Sequence, residues 1–596
     1  MTLLDWTIVV AYFALAVGLG LALSRRAGQS ISEYFVSGRS LPWWLAGTSM
    51  VATTFAADTP LAVAELVVEH GVAGNWLWWN MVMSGLLTVF FYARLWRRAG
   101  VMTDVEFTEL RYGGRPAAFL RGFRAAYLAL PVNLIIMGWV NLAMVEIAAV
   151  TLDVPRVTAL LVCFVLAGSY ALLAGLWGVV ITDFVQFGLA VGGSVVLAVF
   201  AVSAVGGISG LEAGLADVYG SSERALAFWP DLDPAWMPAI TFAVYLGMNW
   251  WASWYPGSEP GGGGYIAQRI FSARSERDGL LATLWFNIAH YAIRPWPWIL
   301  VALCIPILYP GIENPREGYI RTIVDLLPAG LTGLVLAAFA AAYMSTISTQ
   351  LNWGASYLVK DVYARFLRRD AGQGELVKVS RLATAGLMLA SLVVTYFLDT
   401  IEGAWRFLLA LGAGTGLVLI LRWYWWRINA WSEIVAMVAS LVASLVLWFG
   451  VGLDPDQPTH WAYIMMGTVA ASTVAWVAAT LLTAPEAPET LEGFYRRVRP
   501  GGPGWYRVAE ALGYGREGMD GGALNWTNWV AGIVSVYSTL VGTGRLIFGA
   551  WGEAVLFLGL GAVAFAWIVR NLRHGDLAGE GRPEGAEAVT ASGEAP

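Results

Sequence analysis

Four hydroxyl side chains lie close together in one apolar stretch and could hold a cation. They are Ser345, Thr346, Ser348 and Thr349. Side chains three or four residues apart share a helical face, so Ser345 lies beside Ser348 and Thr349. Neutral hydroxyl and carbonyl oxygens suit a hard monovalent cation such as sodium. The same residue types also line helix–helix contacts in membranes, and taken alone this row favours the packing interpretation.

A second unusual stretch, residues 44–71, is long and apolar enough to cross a bilayer but is interrupted by Ala56-Ala57-Asp58-Thr59-Pro60. A carboxylate at membrane depth costs about 2.5–3.5 kcal/mol on insertion scales. Pro60 lacks a backbone donor and frees carbonyl groups in the preceding turn. Two interpretations stay open at this point. The break is either a cation site built from free carbonyls, or a proline kink with Asp58 hydrogen-bonded to a neighbouring helix.

A similar interruption occurs in residues 256–264, which contain two prolines and five glycines. Each glycine in a helix costs about 1 kcal/mol relative to alanine, and each proline about 3 kcal/mol. A re-entrant or extramembranous glycine loop is the alternative to a broken span. Two interrupted spans in corresponding positions of two halves point to a transporter with inverted repeats. Beside two such breaks, the hydroxyl row at 345–349 favours a cation site.

The composition sets the class of protein around these three stretches. Of 596 residues, 58% are hydrophobic and 13% are charged, whereas soluble proteins carry about 25% charged residues. The chain is therefore expected to be an all-α polytopic membrane protein. A span length of about 20 residues predicts about fifteen transmembrane helices. They start near Leu4, Trp43, Asn75, Phe119, Arg156, Gly178, Trp236, Gly279, Gly330, Val377, Ala404, Ala430, Tyr463, Trp526 and Glu553.

The placement of arginines predicts the orientation of these spans. Basic clusters follow the odd-numbered spans, whereas the intervening loops are acidic or mixed. The positive-inside rule then places the N-terminus outside and the C-terminus in the cytoplasm. The chain shows no Walker-type loop, HExxH sequence or serine-nucleophile motif, so we expect neither ATP-driven machinery nor an enzyme.

Several short sequences resemble motifs of the sodium:solute symporter family, which includes sodium/proline, sodium/glucose and sodium/sialic acid symporters. They are EYFVSGRS at 33–40, TDFVQ at 182–186, AQRIFSAR at 267–274, and AYMST at 342–346 followed by KDVY at 360–363. The resemblance extends from the first span to about the thirteenth. It implies a LeuT-type fold in which spans 2–6 and 7–11 form a five-plus-five inverted repeat with extra flanking helices.

The domain organisation follows from this resemblance and from composition. The low-complexity C-terminal tail is expected to be disordered. The predicted parts are an N-terminal flanking helix at 1–26, a transporter core at 27–428 with repeats at 27–205 and 235–428, two flanking helices at 429–484, a cytoplasmic loop at 485–522, two C-terminal helices at 523–573, and the tail at 574–596.

The resemblance also implies the ion sites. The family's shared sodium site corresponds to backbone oxygens of Ala56 and Thr59, the carbonyl of Ala342, and the hydroxyls of Ser345 and Thr346. A second sodium, held in some members, corresponds to Asp183, Ser345, Ser348 and Thr349. Asp58 matches an aspartate that sodium/proline symporters carry close to the cation.

The substrate site cannot be transferred residue by residue. Sugar-transporting members carry a tyrosine and tryptophan gate in the seventh span, where this chain has Glu259-Pro260 and four glycines. Arg294 is deep enough to need a partner, and three alternatives stay open: pairing with Glu259, meeting a substrate carboxylate, or snorkelling to an interface. The candidate substrate residues are Asp58, Glu65, Asn80, Asn249, Glu259 and Arg294.

These observations predict a sodium-coupled symporter that imports a small polar organic solute by alternating access. Its expected partners are sodium, the solute and the lipid bilayer, without nucleic acid, and its oligomeric state is left open. The expected location is a bacterial inner membrane. The alternatives are a solute-sensing or uncoupled channel-like module on the same scaffold, and a transporter driven by protons through Asp58 or Glu259.

Overall fold

A computed structural model of the chain describes residues 1–27, 29–152, 154–253, 260–398, 412–516, 518 and 521–575. The described residues are mainly helical, and an isolated β-bridge pairs Leu41 with Ala273. The chain divides into two compact units, Met1–Glu517 and Gly518–Pro596, which are described separately.

The first unit contains helices that we number in chain order and further helices that are not numbered. The numbered ones are α1 Leu3–Ala27, α2 Trp43–Thr54, α3 Asp58–His70, α4 Val72–Ala99, α5 Gly114–Leu152, α6 Arg156–Ala204, α7 Gly264–Ser272, α8 Glu276–Leu308, α9 Leu331–Leu367, α10 Gln373–Phe397, α11 Ala430–Gly450, α12 Pro458–Leu482, α13 Pro488–Val498 and α14 Tyr506–Ala511. The others include Ile31–Val36, Phe107–Arg111, Gly207–Tyr219, Ala239–Val244, Trp250–Ala252, Pro315–Leu326 and Gly416–Leu421.

Eleven helices among the described residues are long and apolar enough to cross a membrane, and the bent pair α2–α3 makes twelve. These agree with twelve of the roughly fifteen predicted spans. The other three start near Arg156, Trp236 and Ala404, and each includes residues or side chains outside the described part. Gly175, with φ 54° and ψ −173°, interrupts α6 where the fifth and sixth predicted spans meet.

The interruption predicted in residues 44–71 is present. Helix α2 ends at Thr54, α3 begins at Asp58, and the two are bent by 59°. Pro60 lies in the first turn of α3, where a proline is tolerated because its missing N–H would have no intrahelical partner. Asp58 is the first residue of α3, and a carboxylate at a helix N-terminus is favoured by the helix dipole. The sequence of this break therefore ends one helix and starts the next.

The second predicted interruption is described in part. Residues 239–252 are helical and α7 starts at Gly264, whereas residues 254–259 lie outside the described part. Gly261 and Gly262 have φ of 82° and 81°, which favours glycine. A Cβ atom on Gly262 would lie 2.8 Å from Thr88 Cγ2. The glycines thus let the chain turn close beside α4.

Helix α9 occupies the centre of the first unit. Nearly all of its residues from Thr332 to Ser356 are buried, and it packs against α1, α2, α5, α6 and α10. Apart from its polar residues, α9 carries apolar and small side chains around its circumference, which suits a buried position. The row of hydroxyl side chains at 345–349 therefore lies inside the bundle, where polar groups need partners.

The segment predicted as a cytoplasmic loop, 485–522, contains α13 and α14, which pack on the rest of the unit. Trp505 is fully buried, and its indole nitrogen donates a hydrogen bond of 2.7 Å to the carbonyl oxygen of Trp423. The Arg111 guanidinium lies 4.9 Å from the Trp505 ring centre and 5.3 Å from that of Phe494. These contacts dock the segment onto Phe107–Arg111 and the residues that follow Gly416–Leu421.

The second unit is a pair of helices, α15 Gly522–Ile547 and α16 Trp551–Gly575. Small residues lie between them: Ser535 Oγ donates 3.1 Å to the carbonyl oxygen of Gly561, and a Cβ on Gly542 would lie 2.8 Å from Leu558 Cγ. Small side chains let membrane helices approach closely.

Candidate cation and substrate site

The hydroxyl row of α9 meets the broken span at Thr346. Thr346 Oγ1 donates a hydrogen bond of 2.8 Å to the carbonyl oxygen of Thr53, and it lies 3.2 Å from the carbonyl oxygen of Ala342. All three residues are buried. The arrangement gathers three neutral oxygen atoms at the end of α2, and such oxygens are the ligands that sodium prefers.

The backbone oxygens predicted at Ala56 and Thr59 lie at the same break but make local contacts. The Thr59 backbone N–H donates 3.2 Å to the carbonyl oxygen of Ala56, and Thr59 Oγ1 donates 3.3 Å to that of Thr54. Within the described residues, the hydrogen bonds that join this break to α9 are made by Thr53, with Thr346 and Thr349. Sequence reasoning missed Thr53, although the last four carbonyl groups of a helix lack intrahelical partners and so identify it as a candidate.

The residues predicted for a second sodium are partly brought together around Asp183 of α6. Asp183 is fully buried and accepts hydrogen bonds from Ser345 Oγ at 2.6 Å and from Ser49 Oγ at 2.5 Å. Thr349 Oγ1 lies 3.1 Å from Thr53 Oγ1, next to the first set of oxygens. Ser348 Oγ instead donates 3.2 Å to the carbonyl oxygen of Ser345 within its own helix.

Arg269 of α7 enters this second set of residues and was not predicted there. Its Nη2 donates 2.7 Å to Thr349 Oγ1 and lies 3.8 Å from Asp183 Oδ2, and its Nε donates 3.2 Å to Ser49 Oγ. The side chain is fully buried. The sequence signal was an arginine in the largely apolar stretch YIAQRIF.

Two predicted substrate residues lie in direct contact. Asn249 Nδ2 donates 3.0 Å to Asn80 Oδ1, and both residues are buried. Ser253 Oγ also donates 3.1 Å to Asn249 Oδ1. The contact between Asn249 and Asn80 joins α4 to the helical residues 239–252, which precede the second interruption.

Arg294 is 1% exposed, which is inconsistent with snorkelling to an interface. Its guanidinium Nη1 donates 3.4 Å to the carbonyl oxygen of Val51, at the C-terminal end of α2, and its Nε donates 3.3 Å to that of His290. The guanidinium also lies 5.1 Å from the Trp298 ring centre. A cation near a helix C-terminus is favoured by the helix dipole, so Arg294 stabilises the end of the first half of the broken span.

The structure describes two of the three acidic residues predicted for the substrate site, Asp58 and Glu65. Asp58 is 2% exposed, and its Oδ1 atom has no hydrogen-bond partner among the described residues. Glu65 lies half-buried on α3. Glu259, and with it the suggested pairing with Arg294, lies outside the described residues.

Comparison with known proteins identifies the class. The sodium:solute symporter family model matches residues 34–442, and the chain belongs to that family. The chain is a sodium-coupled symporter, which confirms the functional class predicted from its sequence.

Individual relatives are similar in sequence over most of the chain, and a solved structure is similar in fold. The chain is 26% identical over 473 residues to a sodium/glucose cotransporter of Vibrio parahaemolyticus, covering 75% of this chain and 86% of that protein. It is 23% identical over 541 residues to sodium/glucose cotransporter 1 of Oryctolagus cuniculus, covering 81% and 79% of the two chains. A Na⁺-coupled sialic acid symporter, solved in a substrate-bound outward-open state, superposes with a TM-score of 0.65 at 20% identity, covering 82% of this chain and 99% of that chain. The predicted all-helical, LeuT-type fold is thus confirmed.

Proposed function

We propose that this symporter imports a small polar organic solute by alternating access, and that sodium binds where α9 meets the broken span. The observation that carries this proposal is the hydrogen bond from Thr346 Oγ1 to the carbonyl oxygen of Thr53. The proposed ligands are the carbonyl oxygens of Thr53 and Ala342 and the hydroxyl of Thr346. The predicted oxygens of Ala56, Thr59 and Ser345 are proposed as further ligands.

The solute binds next to this cation, between the Asn80–Asn249 pair and the break at Asp58. Amide groups both donate and accept hydrogen bonds, so this pair suits hydroxyl and carboxylate groups of a solute. Arg294, with Asp58 and Glu65 on the neighbouring half-helix, supplies charge. Because the glucose and sialic acid transporters similar to this chain are named for polar solutes, a sugar or sugar acid is the first class to test.

Sodium entry supplies enough free energy for such uptake. One sodium ion moving across about 100 mV releases about 2.3 kcal/mol. A tenfold concentration gradient adds about 1.4 kcal/mol, so the sum supports accumulation of a neutral solute by several hundredfold.

The proposed setting is a bacterial inner membrane with the N-terminus outside and the C-terminus in the cytoplasm. The basic clusters after odd-numbered spans support this orientation through the positive-inside rule. No nucleic-acid partner is proposed.

A thermal-shift screen of the purified full chain tests both solute and coupling. Sugars, sugar acids, amino acids and nucleosides are each added with sodium chloride or with choline chloride at fixed pH. We expect one class to raise Tm only in sodium, because a ligand that binds the folded state stabilises it. Uptake of that solute into proteoliposomes against its gradient must then require sodium. Equal uptake in choline would overturn sodium coupling, and flux without accumulation would indicate an uncoupled channel.

A further inference from the structure

His290 of α8 joins that helix to the last residue of α2. The side chain is buried, and its Nδ1 atom lies 3.0 Å from Thr54 Oγ1. Thr54 directly follows Thr53, whose carbonyl oxygen is a proposed sodium ligand. Three aromatic side chains have ring centres within 5.5 Å of the imidazole ring: Trp78, Phe286 and Tyr291. The imidazole is therefore held by packing as well as by its contact with Thr54.

Arg294 determines which ring nitrogen of His290 carries the hydrogen. Arg294 Nη2 lies 3.4 Å from His290 Nε2. A guanidinium stays charged and only donates hydrogen bonds, so Nε2 is the acceptor. The hydrogen of the neutral imidazole then lies on Nδ1, because the partner of one ring nitrogen sets the role of the other. His290 Nδ1 therefore donates to Thr54 Oγ1.

Thr54 connects this contact to the backbone of α2. Its hydroxyl accepts from His290 and donates 2.8 Å to the carbonyl oxygen of Val51. Arg294 Nη1 donates 3.4 Å to the same carbonyl oxygen. Arg294, His290, Thr54 and Val51 thus form a closed ring of hydrogen bonds in which each hydrogen has one direction.

This ring lies where the direction of the backbone changes. Helix α2 ends at Thr54, α3 begins at Asp58, and the two helices are bent by 59°. The carbonyl groups in the last turn of a helix are directed by how that turn is held, because the helix does not continue beyond them. The carbonyl oxygen of Thr53 accepts from Thr346 Oγ1 at 2.8 Å, and a rotation of the last turn would separate these two atoms.

We propose that His290 is a positioning residue of the sodium site. By donating from Nδ1 to Thr54 Oγ1, it holds the last turn of α2 so that the carbonyl oxygen of Thr53 faces Thr346. This inference rests on the proposed sodium site at Thr346. The role requires a hydrogen-bond donor at the position of Nδ1 and no contact of His290 with sodium or solute.

Two substitutions of His290 test the donor position. An asparagine amide nitrogen lies close to the position of Nδ1, whereas a glutamine amide nitrogen reaches the position of Nε2. We expect His290→Gln to bind sodium about two- to tenfold more weakly than wild type, the effect of losing one hydrogen bond. His290→Asn should keep most of the wild-type affinity. Equilibrium binding of radioactive sodium to the purified full chain without solute measures both, with choline chloride holding the ionic strength constant.

Thr54→Val tests the same hydrogen bond from its other partner. Valine has nearly the shape of threonine but neither accepts from His290 nor donates to Val51. Its sodium affinity should fall at least as far as that of His290→Gln, and the double variant should lose no more than Thr54→Val alone. Additive losses in the double variant would overturn the proposal. If His290→Gln does not fold, Thr54→Val and His290→Asn still decide.

Thr48→Val is the matched control on the same two helices. Trp285 Nε1 of α8 donates 3.1 Å to Thr48 Oγ1, six residues before Thr54 on α2. Removing this hydrogen bond weakens the contact between α8 and α2 away from the break, so sodium affinity should equal that of wild type. A loss of sodium affinity equal to that of His290→Gln would show that general packing of α2, and not the position of Thr53, is responsible.

The double variant Ser345→Ala with Thr346→Ala separates this inference from the proposed function. If that variant binds sodium as wild type does, the proposed site is wrong and the role of His290 falls with it. If it loses sodium while His290→Gln binds sodium normally, the inference about His290 alone is wrong. It is also overturned if His290→Gln keeps its sodium affinity but loses solute affinity at saturating sodium, since His290 then contacts the solute.

Discussion

Thr346 Oγ1 lies 2.8 Å from the carbonyl oxygen of Thr53, although 293 residues separate the two along the chain. The contact joins the most central helix of the bundle to the last turn of α2. Because α2 ends at Thr54, the carbonyl group of Thr53 is among those without an intrahelical partner. The end of α2 and the hydroxyl row of α9 together gather the oxygen atoms that we propose as cation ligands.

Replacing both Ser345 and Thr346 by alanine should abolish sodium-stimulated uptake. The change removes two hydroxyl oxygens beside the break without enlarging any side chain. Loss of a buried polar partner costs about 1–3 kcal/mol, which lowers sodium affinity by about five- to 150-fold for each of the two hydroxyls. Solute uptake against sodium concentration in proteoliposomes measures this effect.

Ser356→Ala is the matched control for that double variant. Ser356 is buried on the same helix, and its hydroxyl donates 2.6 Å to the carbonyl oxygen of Trp353. Its sodium dependence should equal that of wild type. Normal sodium stimulation in the double variant would contradict the proposal that Ser345 and Thr346 bind sodium.

Glu433→Gln should destabilise the first unit strongly. Glu433 is 1% exposed and accepts hydrogen bonds from Tyr112 at 2.6 Å, Arg124 at 2.7 Å and Arg422 at 3.1 Å. Removing its charge leaves two buried arginines without their carboxylate, a change that typically costs about 3–5 kcal/mol. Thermal unfolding in detergent measures the loss.

The exposed pair of Glu492 and Arg496, 3.6 Å apart, provides the comparison for Glu433. Glu492→Gln should change stability by no more than about 1 kcal/mol, because solvent screens exposed ion pairs. Equal stability of the two variants would show that the buried cluster contributes nothing beyond a surface pair.

Gly47→Ala should destabilise the packing of α2 against α8. A Cβ atom there would lie 2.6 Å from the carbonyl oxygen of Ala282 and 2.9 Å from Trp285 Cδ1. Overpacking of this kind costs about 1–3 kcal/mol because the backbone has to move.

Gly18→Ala is the control for this substitution, because no neighbouring atom lies within 4 Å of its added Cβ. That substitution should be neutral or stabilising, by up to about 1 kcal/mol. A Tm for Gly47→Ala equal to that of Gly18→Ala would show that the helices can separate freely.

Acidification should weaken the contact between Phe107–Arg111 and the end of α9. Burial raises the pKa of Glu109, but hydrogen bonds from Arg365 and Arg121 lower it more, so its pKa falls below the ordinary value of 4.5. Because the folded-state pKa is the lower one, the stabilisation is present above about pH 4.5 and is lost as pH falls through the folded-state pKa.

Unfolding of wild type and Glu109→Gln across this pH range measures the contribution of Glu109. The variant should lose less stability than wild type on acidification, whereas Glu492→Gln should follow wild type. Parallel pH profiles for wild type and Glu109→Gln would assign the acid sensitivity to other carboxylates.

Local chemistry accounts for most of the predicted fold. Long apolar runs identify the helices because a span of about 20 apolar residues matches the bilayer. Pro60 and the glycines at 261–264 mark the two interruptions because they cannot continue a regular helix. The docking of Trp505 against Trp423 was not predicted, since a polar, glycine-rich segment does not indicate which surface it covers.

At the candidate site, the sequence predicted the local features but not the contacts between distant residues. Amino-acid types and spacing were sufficient to indicate a broken span, a row of hydroxyls and a cation to bind there, because these features depend on neighbours within one turn of helix. Long-range packing decided that Thr53 is the residue facing Thr346, that Arg294 lies at the end of α2, and that Arg269 lies beside Asp183. Each of these contacts joins residues more than 80 positions apart, and only the arrangement of the folded helices brings their side chains together.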